Sequence, residues 1–330
     1  MTNRPPVRVQ SFRRPTVAEA YQLFLTAVGY EQRSRFIAET KNIDASVRVA
    51  LGFPDEQVFS YRENAAWFEQ AGYEVKHLTD EQFGTEVSKR LNDLEDDQKK
   101  SARICVDISS LNRRRMAMIV DELRLHTLGR DIKVDFMYAL AKFSPPPDAA
   151  GGNTHVGPIL PSFAGWWTEP ELPTAAIVGL GYEQYKALGA VEHIEPAEIW
   201  AFMPHSDIKE YIEAQRAANQ TLLDSLKPEC QVPYRVDNAF DTFVLLESLV
   251  FGISKTANVV LLPFGPKIFA LICLLVAALH PSVGVWRVSA KGIEKPNDRV
   301  GAGQIVGLSA SFLSSALRQP SLDRLASVAF

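Results

Sequence analysis

The chain has 330 residues, of which 46% are hydrophobic and 22% are charged, and its formal net charge at pH 7 is −4. The composition is that of a globular protein, which excludes a disordered or fibrous chain, and the length favours two domains. The slightly acidic balance argues against a broad nucleic-acid-binding surface. Three cysteines without paired spacing indicate a reduced, cytoplasmic protein rather than a disulfide framework.

The N-terminal residues 1–14 are polar and basic, and they lack the apolar stretch that a signal peptide requires. The most apolar segment, 268–286, is interrupted by His280-Pro281. A membrane span needs about 20 consecutive apolar residues, so we expect no span here. The segment is instead predicted to be a buried helix followed by a buried strand.

A short motif occurs twice in the chain. Gly29-Tyr30-Glu31-Gln32 recurs as Gly181-Tyr182-Glu183-Gln184, and the offset is 181 − 29 = 152 residues. Each copy follows a short apolar run, at 24–28 and at 176–180. A repeat of this kind predicts one α/β unit that is present twice.

The elements predicted after the two motifs follow the same order. Strands are expected at 46–53, 103–107 and 133–139 in the first half, and at 197–203, 258–262 and 283–290 in the second. The corresponding helices are expected at 32–40, 59–71, 83–94 and 113–126, and at 184–191, 208–226, 240–253 and 267–280. A last apolar run ends each half, at 156–163 and 304–308, and a proline-containing loop is expected at 227–234.

Alternating strands and helices indicate a mainly parallel sheet that is covered on both faces. The predicted fold is therefore α/β, with two tandem Rossmann-like units from an internal duplication in a pseudo-two-fold arrangement. Residues 1–165 form the first, more polar unit, and residues 166–330 form the second, more apolar and partly degenerate unit. The linker at 144–152 leaves open whether 156–163 returns to the first sheet.

The Gly-Tyr-Glu turns are the first candidate site. Ligands of open parallel sheets bind beyond the carboxyl ends of the strands, where the N–H groups of the next helix are unpaired. Glycine allows a close approach, tyrosine offers a flat ring and a hydroxyl, and glutamate offers an acceptor for a sugar hydroxyl or a base amine. The alternative is a glycine turn, a packed tyrosine and a glutamate that favours a helix N-terminus.

The second candidate turn is the richest polar cluster of the chain. Asp107 ends a strand, Ser109, Ser110 and Asn112 follow, and three arginines at 113–115 open a helix. Cations are unfavourable at a helix N-terminus, and a bound phosphate would resolve that conflict. The alternative is a capping residue followed by solvated arginines.

The matching turn of the second half contains Gly265 and Lys267. Lys267 aligns with Arg113 at an offset of 267 − 113 = 154, which also separates His280 from His126. The two histidines are predicted at helix C-termini, away from the site. Because no HExxH, CxxC, Walker A or GxSxG pattern is present, we predict neither a metal site nor a cofactor nor a serine hydrolase.

The pattern Asp107-x-Ser109-x-x-Asn112-Arg113 resembles the post-strand motif of CARF domains, and Gly265-Pro266-Lys267 is similar to a variant of that turn. The resemblance implies a Rossmann-like fold that binds cyclic oligonucleotides in prokaryotic antiviral defence. The related SAVED domains fuse two such units in one chain. Asn112 stands where a second hydroxyl is usual, and Leu261 and Pro263 break the pattern in the second half.

Three hypotheses follow. The first is a sensor or accessory subunit that binds a nucleotide-like or phosphorylated anion in the cleft between the halves and works with a separate effector or partner protein. The second is an enzyme acting on such a ligand, with Glu31 or Asp107 as acid–base or nucleophile. The third is a structural subunit that buries an apolar interface, formed by Trp166-Trp167 and the segment 245–279. The predicted ligand-binding residues are Gly29, Tyr30, Glu31, Arg33, Asp107, Ser109, Ser110, Asn112, Arg113, Gly181, Tyr182, Glu183, Gly265 and Lys267.

Overall fold

A computed structural model describes residues 7–12, 20–55, 57–94, 101–126, 131–145, 153–165, 171–290 and 298–313. The strands of this part are β1 (Val7–Ser11), β2 (Tyr21–Thr26), β3 (Ala45–Gly52), β4 (Glu74–His77), β5 (Ala102–Asp107), β6 (Ile132–Ala141), β7 (Asn153–Pro158), β8 (Thr174–Gly179), β9 (Glu198–His205), β10 (Gln231–Arg235), β11 (Asn258–Pro263), β12 (Gly284–Ala290) and β13 (Gly301–Phe312). The α-helices are α1 (Phe36–Lys41), α2 (Tyr61–Gln70), α3 (Asp80–Asn92), α4 (Arg113–Leu125), α5 (Lys186–Ile194), α6 (Lys209–Asp224), α7 (Ala239–Ile253) and α8 (Lys267–Leu279). Short 3-10 turns lie at Gln32–Arg35, Pro161–Phe163 and Pro228–Cys230.

The strands form two sheets. The first has the order β1-β13-β6-β5-β2-β3-β4 and the second has the order β10-β9-β8-β11-β12-β7. From β6 to β4 all neighbours in the first sheet are parallel, and so are all neighbours from β12 to β10 in the second. The predicted α/β fold with mainly parallel sheets is therefore confirmed.

The two sheets have matching strand orders. The order from β6 to β4 in the first sheet is β6-β5-β2-β3-β4, and the order from β12 to β10 in the second is β12-β11-β8-β9-β10. Each strand of one series corresponds to the strand at the same place in the other half of the chain. This is the order that a duplication would leave, and the duplication itself stays a prediction.

The last strand of each half pairs with the sheet of the other half. β7 lies antiparallel to β12 in the second sheet, and β13 lies antiparallel to β6 in the first. Strand β1 then pairs with β13 at the edge. The segment 156–163 therefore does not return to the first sheet, and both sheets contain strands from either side of residue 165.

The exchanged strand β13 is fixed by apolar and polar contacts. Alternate residues from Val306 to Phe312 are buried, as expected for a strand with one face on the core. Ser309 donates a hydrogen bond of 2.5 Å to Asp135 Oδ1 on β6. Asp135 Oδ2 accepts from the Tyr21 hydroxyl at 2.8 Å and from Arg103 Nη2 at 3.1 Å. Both oxygens of the buried Asp135 carboxylate are thus hydrogen-bonded, as a buried charged group requires.

One hydrophobic core joins the halves. The largest cluster contains residues of α3, α4, α7 and α8 together with residues of both sheets, and α4 packs against α8. A second cluster lies under α1 and α2 against the first sheet, and a third lies under α5 and α6 against the second. Because α4 and α8 share the central core, the turns that precede them are held close together.

The apolar segment predicted as a buried helix and strand is confirmed as α8 followed by β12. Every residue from Ile268 to Ala278 is buried. Within the described residues, no helix is long and apolar enough to cross a membrane. Most of the segment 245–279 is interior, but Leu245 and Phe251 on α7 are exposed, so an interface there stays a prediction. Trp166 and Trp167 lie outside the described residues.

Two strands, β1 and β10, were missed by the sequence patterns, whereas β4 covers most of the apolar run 75–78 that follows the predicted helix-to-strand turn at 72–74. β1 is short and lies at the edge of the first sheet. β10 occupies the segment that was predicted as a proline-containing loop, and Pro233 lies within it. The prediction was wrong because an edge strand tolerates a proline that a central strand would exclude.

The exchange of β7 and β13 between the sheets predicts that neither half of the chain folds by itself. If the chain is divided between residues 149 and 150, the first fragment lacks β13 and the second lacks β1 to β6. We expect neither fragment to unfold cooperatively by itself, because the edge of β6 and one face of the shared core are exposed. Mixed or co-expressed fragments are expected to co-purify and to regain a cooperative transition, measured by circular dichroism with urea. Two fragments that each unfold cooperatively alone would contradict this expectation.

Candidate functional site

The predicted turns lie side by side because the strands that carry them are neighbours. β2 pairs with β5 and β8 pairs with β11, so both turns of each half lie at one edge of a sheet. In the first half, a Cβ atom on Gly29 would lie 2.6 Å from Ser110 Cβ. In the second half, a Cβ atom on Gly265 would lie 2.7 Å from the Leu180 carbonyl oxygen. Glycine is required at these two positions because the turns touch.

Two cations connect the halves. Arg113 and Lys267 are the first residues of α4 and α8, so they occupy equivalent positions in the two halves. Arg113 Nη2 donates to the carbonyl oxygens of Phe264 at 2.6 Å and Gly265 at 2.8 Å. Lys267 Nζ donates to the Ser109 carbonyl oxygen at 2.5 Å. Each half therefore places a cation on the post-strand turn of the other.

Glu31 and Arg33 form a buried ion pair at the first Gly-Tyr-Glu turn. Arg33 Nε donates to Glu31 Oε2 at 2.5 Å, and Arg33 Nη1 donates to the Ala139 carbonyl oxygen at 2.6 Å. Burial alone would raise the pKa of Glu31, but Arg33, Lys267 and Arg299 together lower it below its ordinary value. Glu31 is therefore held as a carboxylate.

The pKa of Asp107 is raised, whereas that of Glu31 is lowered. Its side chain is only 1% exposed, and Oδ1 accepts a hydrogen bond of 2.8 Å from the Ser109 N–H. Burial raises the pKa of Asp107 to about 6, although hydrogen bonds from Ser109 and the charges of Arg33 and Lys267 lower it in part. The group therefore changes its protonation close to neutral pH, as acid–base groups of functional sites do.

The pKa of Lys267 is lowered, which favours the uncharged amine. Burial lowers its pKa to about 7, the Glu31 carboxylate raises it, and Arg33, Arg299 and Arg113 lower it further. Its ammonium makes no ion pair with a carboxylate of the described residues. The residue as a whole is half-buried.

The junction contains donors that have no hydrogen-bond partner in the described part of the chain. Buried polar groups are nearly always paired, so such a concentration calls for an explanation. The Arg33 side chain is 1% exposed, Tyr234 is 4% exposed and Gln215 is 5% exposed. The unpartnered atoms are Arg33 Nη2, Ser110 Oγ, Arg113 Nε, the Tyr182 hydroxyl and the Tyr234 hydroxyl. Gln215 Nε2 on α6, one helical turn from Asn219, is also unpartnered.

Two asparagines support the Gly-Tyr-Glu turns in the same way. Asn64 on α2 donates to the carbonyl oxygens of Gly29 at 2.8 Å and Glu31 at 2.9 Å. Asn219 on α6 donates to the Gly181 carbonyl oxygen at 2.7 Å. The sequence contained a signal for this pair, because the offset 219 − 64 = 155 is close to the offsets of 152 and 154 between the matched turns.

An aromatic group lies on the side of the second half. The Tyr182 and Tyr211 rings are 5.6 Å apart, and the Phe143 and Tyr211 rings are 5.0 Å apart. The Arg299 guanidinium lies 5.9 Å from the centre of the Tyr182 ring. Tyr211 and Arg299 were missed because they lie in α6 and just before β13, far from the motif turns in sequence.

Several predicted residues have a structural partner of their own. Asn112 is exposed, and its side-chain oxygen caps α4 by accepting from the Arg115 N–H at 2.7 Å. Tyr30 packs against Phe59, with ring centres 6.1 Å apart. Glu183 folds back over its own turn, because a Cβ atom on Gly181 would lie 2.3 Å from Glu183 Oε2.

The other two arginines of the 113–115 run point away from the junction. Arg115 is buried, donates to Asp80 at 3.0 Å and to the Gly52 carbonyl oxygen at 3.0 Å, and lies over the Phe53 ring at 3.6 Å. Arg114 lies 3.4 Å from Asp80. Of the three arginines, Arg113 alone reaches the second half through a hydrogen bond between described residues.

No group of three or more His, Cys, Asp or Glu side chains in the described ranges is placed to hold a metal ion. The junction combines cations, hydroxyls and amides with two carboxyl groups, Glu31 and Asp107. This donor set suits an anion, because guanidinium and hydroxyl groups donate hydrogen bonds to phosphate or carboxylate oxygens.

Comparisons with known proteins add little to this geometry. No protein-family model matches the chain, and the search of curated proteins gives no match. Among solved structures, the crystal structure of the cytoplasmic domain of a prokaryotic cation chloride cotransporter is similar, with 9% sequence identity. The match covers 82% of this chain and 96% of that chain, and its TM-score is 0.23. At this TM-score the likeness supports no conclusion about fold or function.

The raised pKa of Asp107 predicts that a variant without this charge is more stable than the wild type, by an amount that depends on pH. The folded state binds the Asp107 proton more tightly than the unfolded state. The wild type therefore loses stability as the pH rises from about 4 to about 6. Asp107→Asn keeps an acceptor for Ser109 but no charge. We expect it to exceed the wild type by about 2 to 3 kcal/mol in free energy of unfolding above pH 6, with no difference near pH 4.

Urea unfolding at about pH 4 and about pH 7.5 measures this difference. The matched control is Asp135→Asn, since Asp135 is also buried but accepts hydrogen bonds from Tyr21, Arg103 and Ser309. This control should lose stability at neutral pH, because Arg103 loses its charged partner. A loss of stability at neutral pH in Asp107→Asn would show that the carboxylate is not under strain.

The contact between the first two turns predicts a steric effect at Gly29. Gly29→Ala would place Cβ 2.6 Å from Ser110 Cβ and 2.7 Å from Ser110 Oγ. We expect a loss of about 1 to 3 kcal/mol in free energy of unfolding, because the turns must separate. The control is Gly84→Ala in α3, where the nearest atom would be 4.0 Å away. That variant should gain up to about 1 kcal/mol from helix propensity, and equal effects in both variants would count against the contact.

Proposed function

We propose that this protein binds a nucleotide-like or phosphorylated anion at the junction of its two Rossmann-like units. The observation that carries the proposal is the group of buried, unpartnered donors described above, which lies among cations at the carboxyl ends of both sheets. A bound anion would pair these donors and would compensate the charges that burial leaves unbalanced.

The charge of the junction supports an anionic ligand. Four cations, Arg33, Arg113, Lys267 and Arg299, affect the same pair of carboxyl groups or one another. The carboxyl groups are Glu31 and Asp107, so cations outnumber them by two. Because the three guanidinium groups remain charged at all relevant pH values, an excess of one positive charge persists even where Lys267 is neutral.

The site also combines backbone groups with these side chains. α4 and α8 both begin at the junction, and the first N–H groups of a helix attract anions. Rossmann-like sheets bind phosphorylated ligands at this edge. The aromatic rings of Phe143, Tyr182 and Tyr211 lie beside the cations and offer a surface for the uncharged part of a nucleotide.

The finer proposal is a sensor or accessory subunit in prokaryotic antiviral defence that works with a separate effector or partner protein. It is supported by the resemblance of the turn that begins at Asp107 to CARF domains and by the presence of two similar units in one chain. A phage-challenge assay of the native host with the gene intact or deleted tests this role. An equal plating efficiency in both strains would argue against it.

A second candidate function is an enzyme that acts on the same ligand. It is favoured by the pKa of Asp107, which burial raises to about 6, so this group can accept and donate a proton near neutral pH. Glu31 is less suited to that task, because its ion pair with Arg33 holds it as a carboxylate. Product formation from a nucleotide panel that is lost in Asp107→Asn would favour an enzyme over a binding protein.

Arg113 provides the direct test of anion binding. We expect Arg113→Gln to weaken the binding of pyrophosphate or a nucleoside triphosphate by at least about tenfold, since a hydrogen bond from a charged group contributes about 1.5 to 3 kcal/mol. Isothermal titration calorimetry measures the affinity, and thermal unfolding verifies the fold.

The matched control is Arg114→Gln. This arginine is adjacent in sequence and carries the same charge, but it pairs with Asp80 on the side of α3. It should bind the anion as the wild type does. If the wild type binds no anion of the panel, or if both variants lose affinity equally, the proposed site is wrong.

A further inference from the structure

Lys267 is surrounded in a way that an anion-binding lysine does not require. Its Nζ has one hydrogen-bond partner among the described residues, and that partner is a neutral carbonyl oxygen, Ser109 O, at 2.5 Å. It begins α8, where the helix dipole disfavours a positive charge. An ordinary surface lysine would instead face a carboxylate or water.

The groups that face Lys267 come from four other elements. Arg33 and Glu31 lie in the turn after β2, Arg113 begins α4, and Arg299 lies just before β13. Asp107, at the end of β5, also interacts with it. Three of these groups are permanent cations, and the Glu31 carboxylate is already paired with Arg33. The surroundings therefore favour the uncharged amine.

Lys76 shows the contrasting arrangement in the same chain. Its Nζ lies 2.8 Å from Glu86 and 3.1 Å from Glu74. These carboxylates raise the pKa of Lys76, with Glu86 making the larger contribution. Lys76 is held as an ammonium, which has no lone pair and cannot act as a nucleophile.

We propose that Lys267 is a nucleophilic amine that condenses with the carbonyl group of a phosphorylated aldehyde or ketone bound at the junction. A lysine that is desolvated or placed beside other cations is the form that enzymes use to make imines with carbonyl ligands. The proposal rests on the anion site proposed above for holding the phosphate, and it adds the chemical class of the group that reaches Lys267.

The division of tasks follows from the chemistry of the side chains. Arg33, Arg113 and Arg299 keep their charge and hold the phosphate, while Lys267 supplies an electron pair. One N–H of the amine donates to the Ser109 carbonyl oxygen, and this hydrogen bond leaves the lone pair available.

The reaction balances without an oxidant or a reductant. The amine lone pair forms a bond to the carbonyl carbon, and one N–H proton and one proton from the medium convert the carbonyl oxygen into the hydroxyl of a carbinolamine and then into water. Water leaves as the carbon–nitrogen double bond forms. The product is a protonated imine, and the net change from the free amine and carbonyl is the gain of one proton and the loss of one water molecule.

Reductive trapping tests the proposal. The full-length protein is treated with pyridoxal 5′-phosphate or with pyridoxal at about pH 7.5, reduced with borohydride, digested and mapped by mass spectrometry. We expect Lys267 to be modified by both probes at least about tenfold faster than Lys76, because a far larger fraction of its amine is uncharged. The rate at Lys267 should rise with pH with a midpoint at about 7.

The two probes separate this proposal from the anion site. Pyridoxal lacks the phosphate, so it measures the amine alone, whereas pyrophosphate should slow only the reaction of the phosphorylated probe. If both probes modify Lys267 rapidly and pyrophosphate protects neither, the amine is nucleophilic but the anion site is wrong. If Lys267 reacts no faster than Lys76 with pyridoxal, the nucleophilic amine is wrong, whatever the calorimetry shows.

Two control variants separate a loss of labelling from a loss of folding. Lys267→Arg retains a cation and a donor for Ser109 but should give no adduct at position 267, while Lys76→Arg should leave the adduct at Lys267 unchanged. Thermal unfolding of both variants accompanies the labelling. An adduct that persists in the same peptide of Lys267→Arg would place the reactive group elsewhere and overturn the proposal.

Discussion

The crossed hydrogen bonds of Arg113 and Lys267 are the interaction on which the geometry of the site depends. Each cation begins a helix, where the dipole is unfavourable, and each is compensated by carbonyl oxygens of the opposite turn. Because α4 and α8 lie in one shared core, the packed helices fix the backbone positions from which both side chains extend. The crossed hydrogen bonds therefore hold the turn after β5 close to the turn after β11. The donors of both halves lie at the junction between these two turns.

Such a concentration of buried charge is unfavourable for folding. A charged group that leaves water loses several kcal/mol of hydration free energy, and carbonyl partners restore only part of it. The hydrophobic core offsets this loss. α8 is buried over most of its length, and the exchanged strands tie each sheet to the other half of the chain. Strain at functional groups that is balanced by packing elsewhere is common in binding and catalytic sites.

The two halves share architecture but not chemistry. The first half contributes the buried Glu31–Arg33 pair and Asp107, whereas the second has Leu261 within the strand that corresponds to β5 and an apolar helix after it. The second half supplies Lys267, two carbonyl oxygens and an aromatic surface instead. A single composite site, rather than two equivalent ones, is the arrangement that this asymmetry favours.

The periodic patterns were sufficient for most of the local structure. Apolar runs and helical spacing identified nearly every central strand and helix, since these signals lie within one segment. The repeated motif located the turns at the carboxyl ends of β2 and β8, and the offset matched Lys267 with Arg113. The edge strands β1 and β10 were missed, because their short and polar segments carry little periodicity.

The sequence by itself thus determined the α/β class, the order of the elements and the turns that carry polar residues, because propensity and periodicity act over a few residues. Only the tertiary structure decided that β7 and β13 exchange sheets, that Asn112 and Arg115 serve structure, and that Arg299 and Tyr211 reach the junction. Strand pairing and the burial of a charge depend on residues far apart in the chain. The protonation of Asp107 and Lys267 was decided there for the same reason, since a pKa is set by neighbours in space rather than in sequence.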